Sequence, residues 1–227
     1  MKRTKVGIIV TTHHGDELRP NGAELINRFL YTLSQSIKYE YVVYLFNNAS
    51  PNIIPINFEA KNVTINYEYI VNQKTRGLTG TWNDGVSKAI ADHCETILIC
   101  NDDIMFNETI NDFIMEIKSH PNNDNSIFGP VTNGVLSHYQ LREEPSNTII
   151  RFDVEGHVLN GFCFGFQSKV FDKFKYAGNL LFNPEILWGG NEEEFMNRVK
   201  QLGGELFIVE TCWIHHDKIR GWKQLEK

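Results

Sequence analysis

No apolar stretch in this sequence approaches the roughly 20 residues that a membrane-spanning helix needs. The apolar run at Val6-Gly7-Ile8-Ile9-Val10 stops at once at Thr11-Thr12-His13-His14. It lacks the longer apolar region and the small-residue cleavage site of a signal peptide. It reads as a first buried strand, and a cytoplasmic location with no more than peripheral membrane contact is the expectation. Cysteine is scarce: Cys94, Cys100, Cys163 and Cys212 form no CxxC pair, so a zinc knuckle or redox motif is unsupported. Cys100, Cys163 and Cys212 lie in apolar runs and read as small buried hydrophobes, not as a disulfide framework. Positive charge is short too: 22 Lys and Arg face 28 Asp and Glu, a net −6. That balance argues against a protein whose main task is gripping nucleic acid. Three phosphate and hydrolase signatures are missing: GxxxxGK[ST], a GxGxxG after the first strand, and GxSxG. P-loop, dinucleotide-binding and serine-hydrolase readings lose their support accordingly.

What is present is an ordinary globular composition. The 227 residues are 41% apolar and 22% charged, enough for one large α/β domain with a real core. The first half alternates strand and helix patterns. Short β-rich runs at 5–10, 41–46, 63–70 and 96–100 end in polar residues. Between them, 23–37 and 79–91 carry apolar residues at helical spacing, and 109–118 follows as a third helix stopped by Pro121. This pattern predicts a mostly parallel central sheet flanked by helices, with the strands' carboxyl ends on one edge. Ligands bind outside that edge in such sheets. The polar clusters at 11–14, 47–50 and 101–103 should therefore converge. The second half is less regular: short strands at 127–130 and 148–152, an apolar run at 159–167, helices at 168–175 and 191–202, and a late strand at 205–210.

Several clusters could carry chemistry. Asn101-Asp102-Asp103 ends the fourth strand, and one or two carboxylates there could hold Mg2+ or Mn2+ with substrate phosphates. Asp103 could equally cap the next turn. Trp188-Gly189-Gly190 precedes Asn191-Glu192-Glu193-Glu194 at a helix start. The acids could simply complement the helix dipole. The tryptophan offers a flat face to a sugar and the glycines let a ligand approach the backbone, so Trp188, Gly189 and Gly190 are candidate acceptor or sugar contacts. A glutamate here could be a general base. His215-His216 follows the last strand and could be structural or could reach a cation. Arg76-Gly77, with Asn83 and Gly85, lies between the third strand and the next helix, where an arginine suits a diphosphate.

Taken in order, these segments resemble the GT-A glycosyltransferases, specifically the family-two-like inverting group. The resemblance runs from Val6 to about His216. Val6 through His14 looks like the opening strand and donor loop, with Thr11 and Thr12 at the donor. Val43 through Ser50 looks like the second strand, Asn47 standing where the family has a nucleobase-binding acid. Arg76-Gly77 through Asn83-Asp84-Gly85 is similar to the segment lining the donor. Asn101-Asp102-Asp103 matches the position of the DxD motif, with asparagine replacing the first acid. Asn191-Glu192, read in register from Arg198, falls on the catalytic acid pair, and Glu193 is the base if the register shifts by one. His215-His216 falls where many members place a metal-binding histidine.

The resemblance implies a single-domain enzyme, with residues 1–105 binding the nucleotide sugar and 106–227 the acceptor. It implies a nucleoside-diphosphate sugar donor, a hydroxyl acceptor and Mn2+ or Mg2+ held by Asp103 and His216, with His215 second. Glu192 would be the base. Two other readings stand beside it. A degenerate GT-A domain would bind sugar or nucleotide without turnover, as Asn101 and Asn191 suggest. A nucleotidyltransferase of related fold would need a glycine-rich, basic first loop, which Thr11-Thr12-His13-His14-Gly15-Asp16-Glu17 does not supply.

Overall fold

The computed structural model describes residues 4–13, 20–48, 50–51, 53–70, 77–135 and 138–217. Period-two alternation of apolar side chains sets its layering. In β1 (Lys5–Thr12), Val6, Ile8 and Val10 face one core while Ile9 faces a second. β2 (Glu40–Asn48) repeats this, with Tyr41, Val43 and Leu45 on the first side and Val42, Tyr44 and Phe46 on the other. A strand buried on both faces needs a helix layer on each. α1 (Gly22–Ser34) and α3 (Ile110–Ser119) cover the first core through Phe29, Leu33, Phe113 and Ile117. α2 (Gly77–Ala91), α4 (Val170–Phe174) and α5 (Asn191–Gln201) cover the second through Trp82, Val86, Phe174, Phe195 and Val199.

The remaining strands are β3 (Val63–Ile70), β4 (Thr96–Asn101), β5 (Ile104–Met105), β6 (Ser126–Thr132), β7 (Ile149–Arg151), β8 (Cys163–Gln167) and β9 (Glu205–His216). Among the described residues they form one nine-stranded sheet of order β3-β2-β1-β4-β8-β6-β9-β5, with β7 also pairing β9. β1 to β4 are mutually parallel, as the alternation predicts. β6 and β9 are parallel as well, and the second half adds antiparallel neighbours to this mostly parallel sheet. β8 enters antiparallel between β4 and β6, and β5 and β7 pair antiparallel with β9.

Two boundaries differ in ways that matter for the site. Asn47 and Asn48 extend β2 instead of forming a turn, because β3 pairs with them through Tyr69 and Ile70. The last strand runs on to His216 instead of stopping near Glu210. Its register against β6 jumps between Val209 and Trp213, so Glu210, Thr211 and Cys212 form a bulge. All four cysteines are buried free thiols. No helix among the described residues is long and apolar enough to cross a membrane.

Candidate active site

Strand register brings the polar clusters together. Thr12 lies beside Asn47 and Thr11 beside Asn101 at the carboxyl ends of β1, β2 and β4. The Thr12 hydroxyl donates to Asp102 Oδ2 at 2.7 Å, and both residues are buried. Thr11 shares a 2.6 Å hydrogen bond with Thr81 on α2. Asn47 is buried: its amide donates to the Tyr67 hydroxyl at 2.7 Å, and its Oδ1 accepts from Ser50. His13 donates through Nδ1 to the Asn48 carbonyl at 3.0 Å. Asn101 itself is half-buried, its backbone N–H held by the Phe162 carbonyl.

Asp103 turns away from Asp102's partners and meets the end of β9. His216 Nε2 stands 3.3 Å from Asp103 Oδ1, and both side chains are largely buried. The other ring nitrogen, Nδ1, bonds the Gly134 carbonyl. A carbonyl can only accept, so Nδ1 carries the proton. Nε2 is the ring atom that faces the carboxylate oxygen, and the pair can share a proton or take a metal cation. Asp103 also anchors the chain after β9, its carbonyl accepting from the Asp217 N–H at 3.0 Å. His215 points elsewhere: its Nε2 donates to Asp217 Oδ1 at 2.9 Å, and Arg28 on α1 pairs with the same carboxylate. Burial, then the Arg28 and His216 charges, hold the His215 pKa below its ordinary value. Of the two histidines, His216 is the one that faces Asp103. Among the described residues no cluster of three or more His, Cys, Asp or Glu could hold a metal alone. A two-residue donor set fits an ion whose shell is completed by phosphate oxygens and water.

Glu192 sits at the second position of α5, half-buried, while Glu193 is exposed and Glu194 pairs with Arg198 at 2.8 Å. The Glu192 carboxyl rests against Gly161, where an added Cβ would lie 2.9 Å from its Cδ. Burial raises the Glu192 pKa above its ordinary value. Its own backbone N–H opposes the shift, and Glu193 adds to it. The helix start is formed by Gly189 and Gly190 in the left-handed region, at φ 58° and 79°, beside half-buried Trp188. Asn191, 1% exposed, has neither amide atom hydrogen-bonded.

The structure gives two expected donor contacts a different task. Asn83 Oδ1 accepts from the N–H groups of Leu181 and Phe182, both at 2.9 Å, and its Nδ2 donates to the Phe182 carbonyl at 3.0 Å. Gly77 opens α2 at φ 55°, and a Cβ there would lie 2.4 Å from the Leu187 carbonyl oxygen. That oxygen accepts from Leu78 N–H at 2.8 Å, so the first free donors of α2 are spent on the chain leading to Trp188. Gly77 and Asn83 thus hold the 181–187 segment. His14 and Arg76 lie outside the described residues. The sequence reading missed Gly134, Asp217 and Gly161, which touch its chosen residues, and Arg28, which pairs with Asp217.

No family model matches the sequence, and no curated protein matches it. Solved structures do match. GalNAc-T7, solved with UDP, GalNAc and Mn2+, superposes with a TM-score of 0.64 over 97% of this chain and 45% of its own, at 14% identity. S. aureus TarS 1–349 gives 0.63 over 94% and 60%, at 14% identity. Its complex with UDP-GlcNAc gives 0.64 over 95% and 59%, at 13% identity. The fold is GT-A. This chain spans about half to three-fifths of the length of those GT-A structures.

Proposed function

We propose that this chain is a glycosyltransferase that moves a sugar from a nucleoside-diphosphate sugar to an acceptor hydroxyl with inversion, in one domain whose two halves bind donor and acceptor. The observation that carries this reading is the facing pair, Asp103 Oδ1 and His216 Nε2, 3.3 Å apart. It lies on the same sheet edge as Thr11, Thr12, Asn47, Asn101 and Asp102. Those residues would bind the nucleotide and ribose, with Arg76 the candidate partner of the diphosphate. Asp103 and His216 would hold Mn2+ or Mg2+. Such an ion supplies positive charge to the departing diphosphate.

The chain's own residues would do the rest. Glu192 accepts the proton of the acceptor hydroxyl as that oxygen bonds to the anomeric carbon. The bond from that carbon to the diphosphate oxygen breaks on the opposite face, which inverts the centre. A carboxyl with a raised pKa is a stronger base than an exposed one, which favours Glu192 over Glu193. Trp188, with Gly189 and Gly190, would provide the apolar face and the close backbone approach for a sugar ring. Most of the rate would come from positioning and charge stabilisation.

UDP release from UDP-GlcNAc and a panel of other nucleotide sugars, with and without Mn2+, tests the reading directly. The expected result is Mn2+-dependent release from at least one donor, and an inverted product by NMR when an acceptor is found. Absence of both release and UDP binding would overturn it. A second reading has its own observation: Asn191 and Asn101 stand where the resemblance has carboxylates, and the Asn191 amide is buried without hydrogen bonds. A sugar-nucleotide-binding domain without turnover would bind UDP with Mn2+ yet release nothing from any donor.

A further inference from the structure

We propose that Gln140 is a positioning residue that seats the Glu192 carboxyl through the Asn160-Gly161-Phe162 segment. This rests on Glu192 acting as the base proposed above. Gln140 is 1% exposed and bridges two pieces of chain that have no shared secondary structure. Its Nε2 donates to the Pro130 carbonyl in β6 at 2.8 Å. Its Oε1 accepts from the Asn160 backbone N–H at 2.6 Å and from Asn160 Nδ2 at 3.2 Å. The amide is seated over Gly129, where a Cβ would come within 2.7 Å of Nε2. One residue beyond Asn160, Gly161 forms the surface against which Glu192 rests. One further on, Phe162 is fixed independently: its carbonyl accepts from Asn101 N–H at 2.8 Å, and its ring stacks on His216 at 5.3 Å.

The segment is thus held at two ends by different partners. The Phe162 end belongs to the Asp103–His216 side through β4. The Asn160 end hangs on Gln140 alone among the side-chain bonds described, and that is the end that meets Glu192. Loss of the Gln140 bonds frees Gly161 while leaving the Phe162 stack in place. Water then reaches the Glu192 carboxyl and its orientation is lost. The charged group beside Glu192 on its own helix is Glu193, and the segment packed against it, 159–162, carries no charged side chain.

Gln140→Met keeps the volume and removes all three hydrogen bonds, and Gly129→Ala displaces the amide without deleting it. Both are compared with wild type in two ways. The first is kcat and KM for UDP release from the best donor, with near-UV circular dichroism to verify folding. The second is a 13C NMR titration of the Glu192 carboxyl, which needs no turnover. The expected result in both variants is a kcat lower by about tenfold or more, with KM nearly unchanged and the Glu192 titration moved down toward that of an exposed glutamate. An unchanged titration in a folded variant overturns the proposal, as does a kcat loss matched by the fraction unfolded. Failure of both variants to fold assigns Gln140 a purely structural role and overturns it too. If wild type turns over no donor, the glycosyltransferase reading fails, and the titration alone decides the role of Gln140.

Discussion

His216 turns Nε2 toward Asp103 Oδ1 at 3.3 Å, because the Gly134 carbonyl takes the proton on Nδ1. A divalent cation held between these two atoms is the proposed ligand. Mn2+ is therefore expected to raise the melting temperature of wild type in the presence of UDP. At a hundredfold excess over Kd the gain is ~2.7 kcal/mol, or roughly 5–10 °C for a chain of this size. Asp103→Ala and His216→Ala should lose the Mn2+-dependent part. His215→Ala should keep it, since that ring is turned to Asp217. Equal loss in the His215 variant would move the assignment.

Glu192→Gln should retain UDP binding by calorimetry and lose turnover by about 10²–10⁴-fold, the usual weight of a general base. Glu193→Gln, altering an exposed side chain, should leave turnover near wild type. A dead Glu193 variant beside an active Glu192 variant would shift the base by one residue.

The raised Glu192 pKa has a stability consequence whose sign is opposite to that of a salt-bridged acid. Folding favours the protonated form, so the stabilising contribution is full below the unfolded value of about 4.3 and is lost as pH rises through the higher folded value. At neutral pH the buried carboxylate destabilises the fold, and Glu192→Gln removes that penalty. Chemical denaturation should find Glu192→Gln more stable than wild type at pH 7, with the difference shrinking as pH falls to 4. A variant less stable at both pH values would contradict the burial.

Gly161→Ala puts a Cβ 2.9 Å from Glu192 Cδ and 3.0 Å from Oε1. The flexible carboxyl should move aside, so the fold should survive while turnover falls by about 10²-fold. UDP affinity with Mn2+ should be unaffected. A parallel loss of affinity would mean that Gly161 lines the donor instead.

Thr12→Val removes the 2.7 Å hydrogen bond to buried Asp102 at nearly constant volume. A buried acceptor deprived of a donor costs about 1–3 kcal/mol, and each kcal/mol lowers the melting temperature by roughly 2–4 °C in a chain of this length. Thermal unfolding with and without UDP should show the loss in both. No change would mean that Thr12 does not support the Asn101-Asp102-Asp103 turn.

The first four strands, the two helices among them and α3 beyond were legible because each is short, periodic and stopped by polar residues. Their parallel order followed from the alternation alone, and so did the meeting of Thr12, Asn47 and Asn101. The second half resisted for a physical reason. β8 is buried at every position because both its faces are covered, so periodicity carried no direction and its antiparallel entry was hidden. The bulge in β9 depends on pairing with β6, which a local pattern does not encode. In the site, residue types with distinctive chemistry stood out, while their supports did not. Gly134 acts through its carbonyl and Gly161 through the absence of a side chain, and neither leaves a chemical mark in the sequence. Asp217 carried a visible signal, an acid directly after His216, that was passed over. Gly77, which at a helix start reads as room for phosphate, also makes room for Leu187, a packing task that no local pattern announces.

The β9 bulge displaces the end of the last described strand so that His216 reaches Asp103, which was laid down at the end of β4. Asp103 directly precedes Ile104, which pairs with His216 in the short β5–β9 ladder, so the two side chains meet when β9 docks on β5. Cation capture by that pair would then report the docking of β9: a partly folded chain would present the ends of β1, β2 and β4 without it. Affinity for Mn2+ would then switch on late and all at once, with the docking of β9.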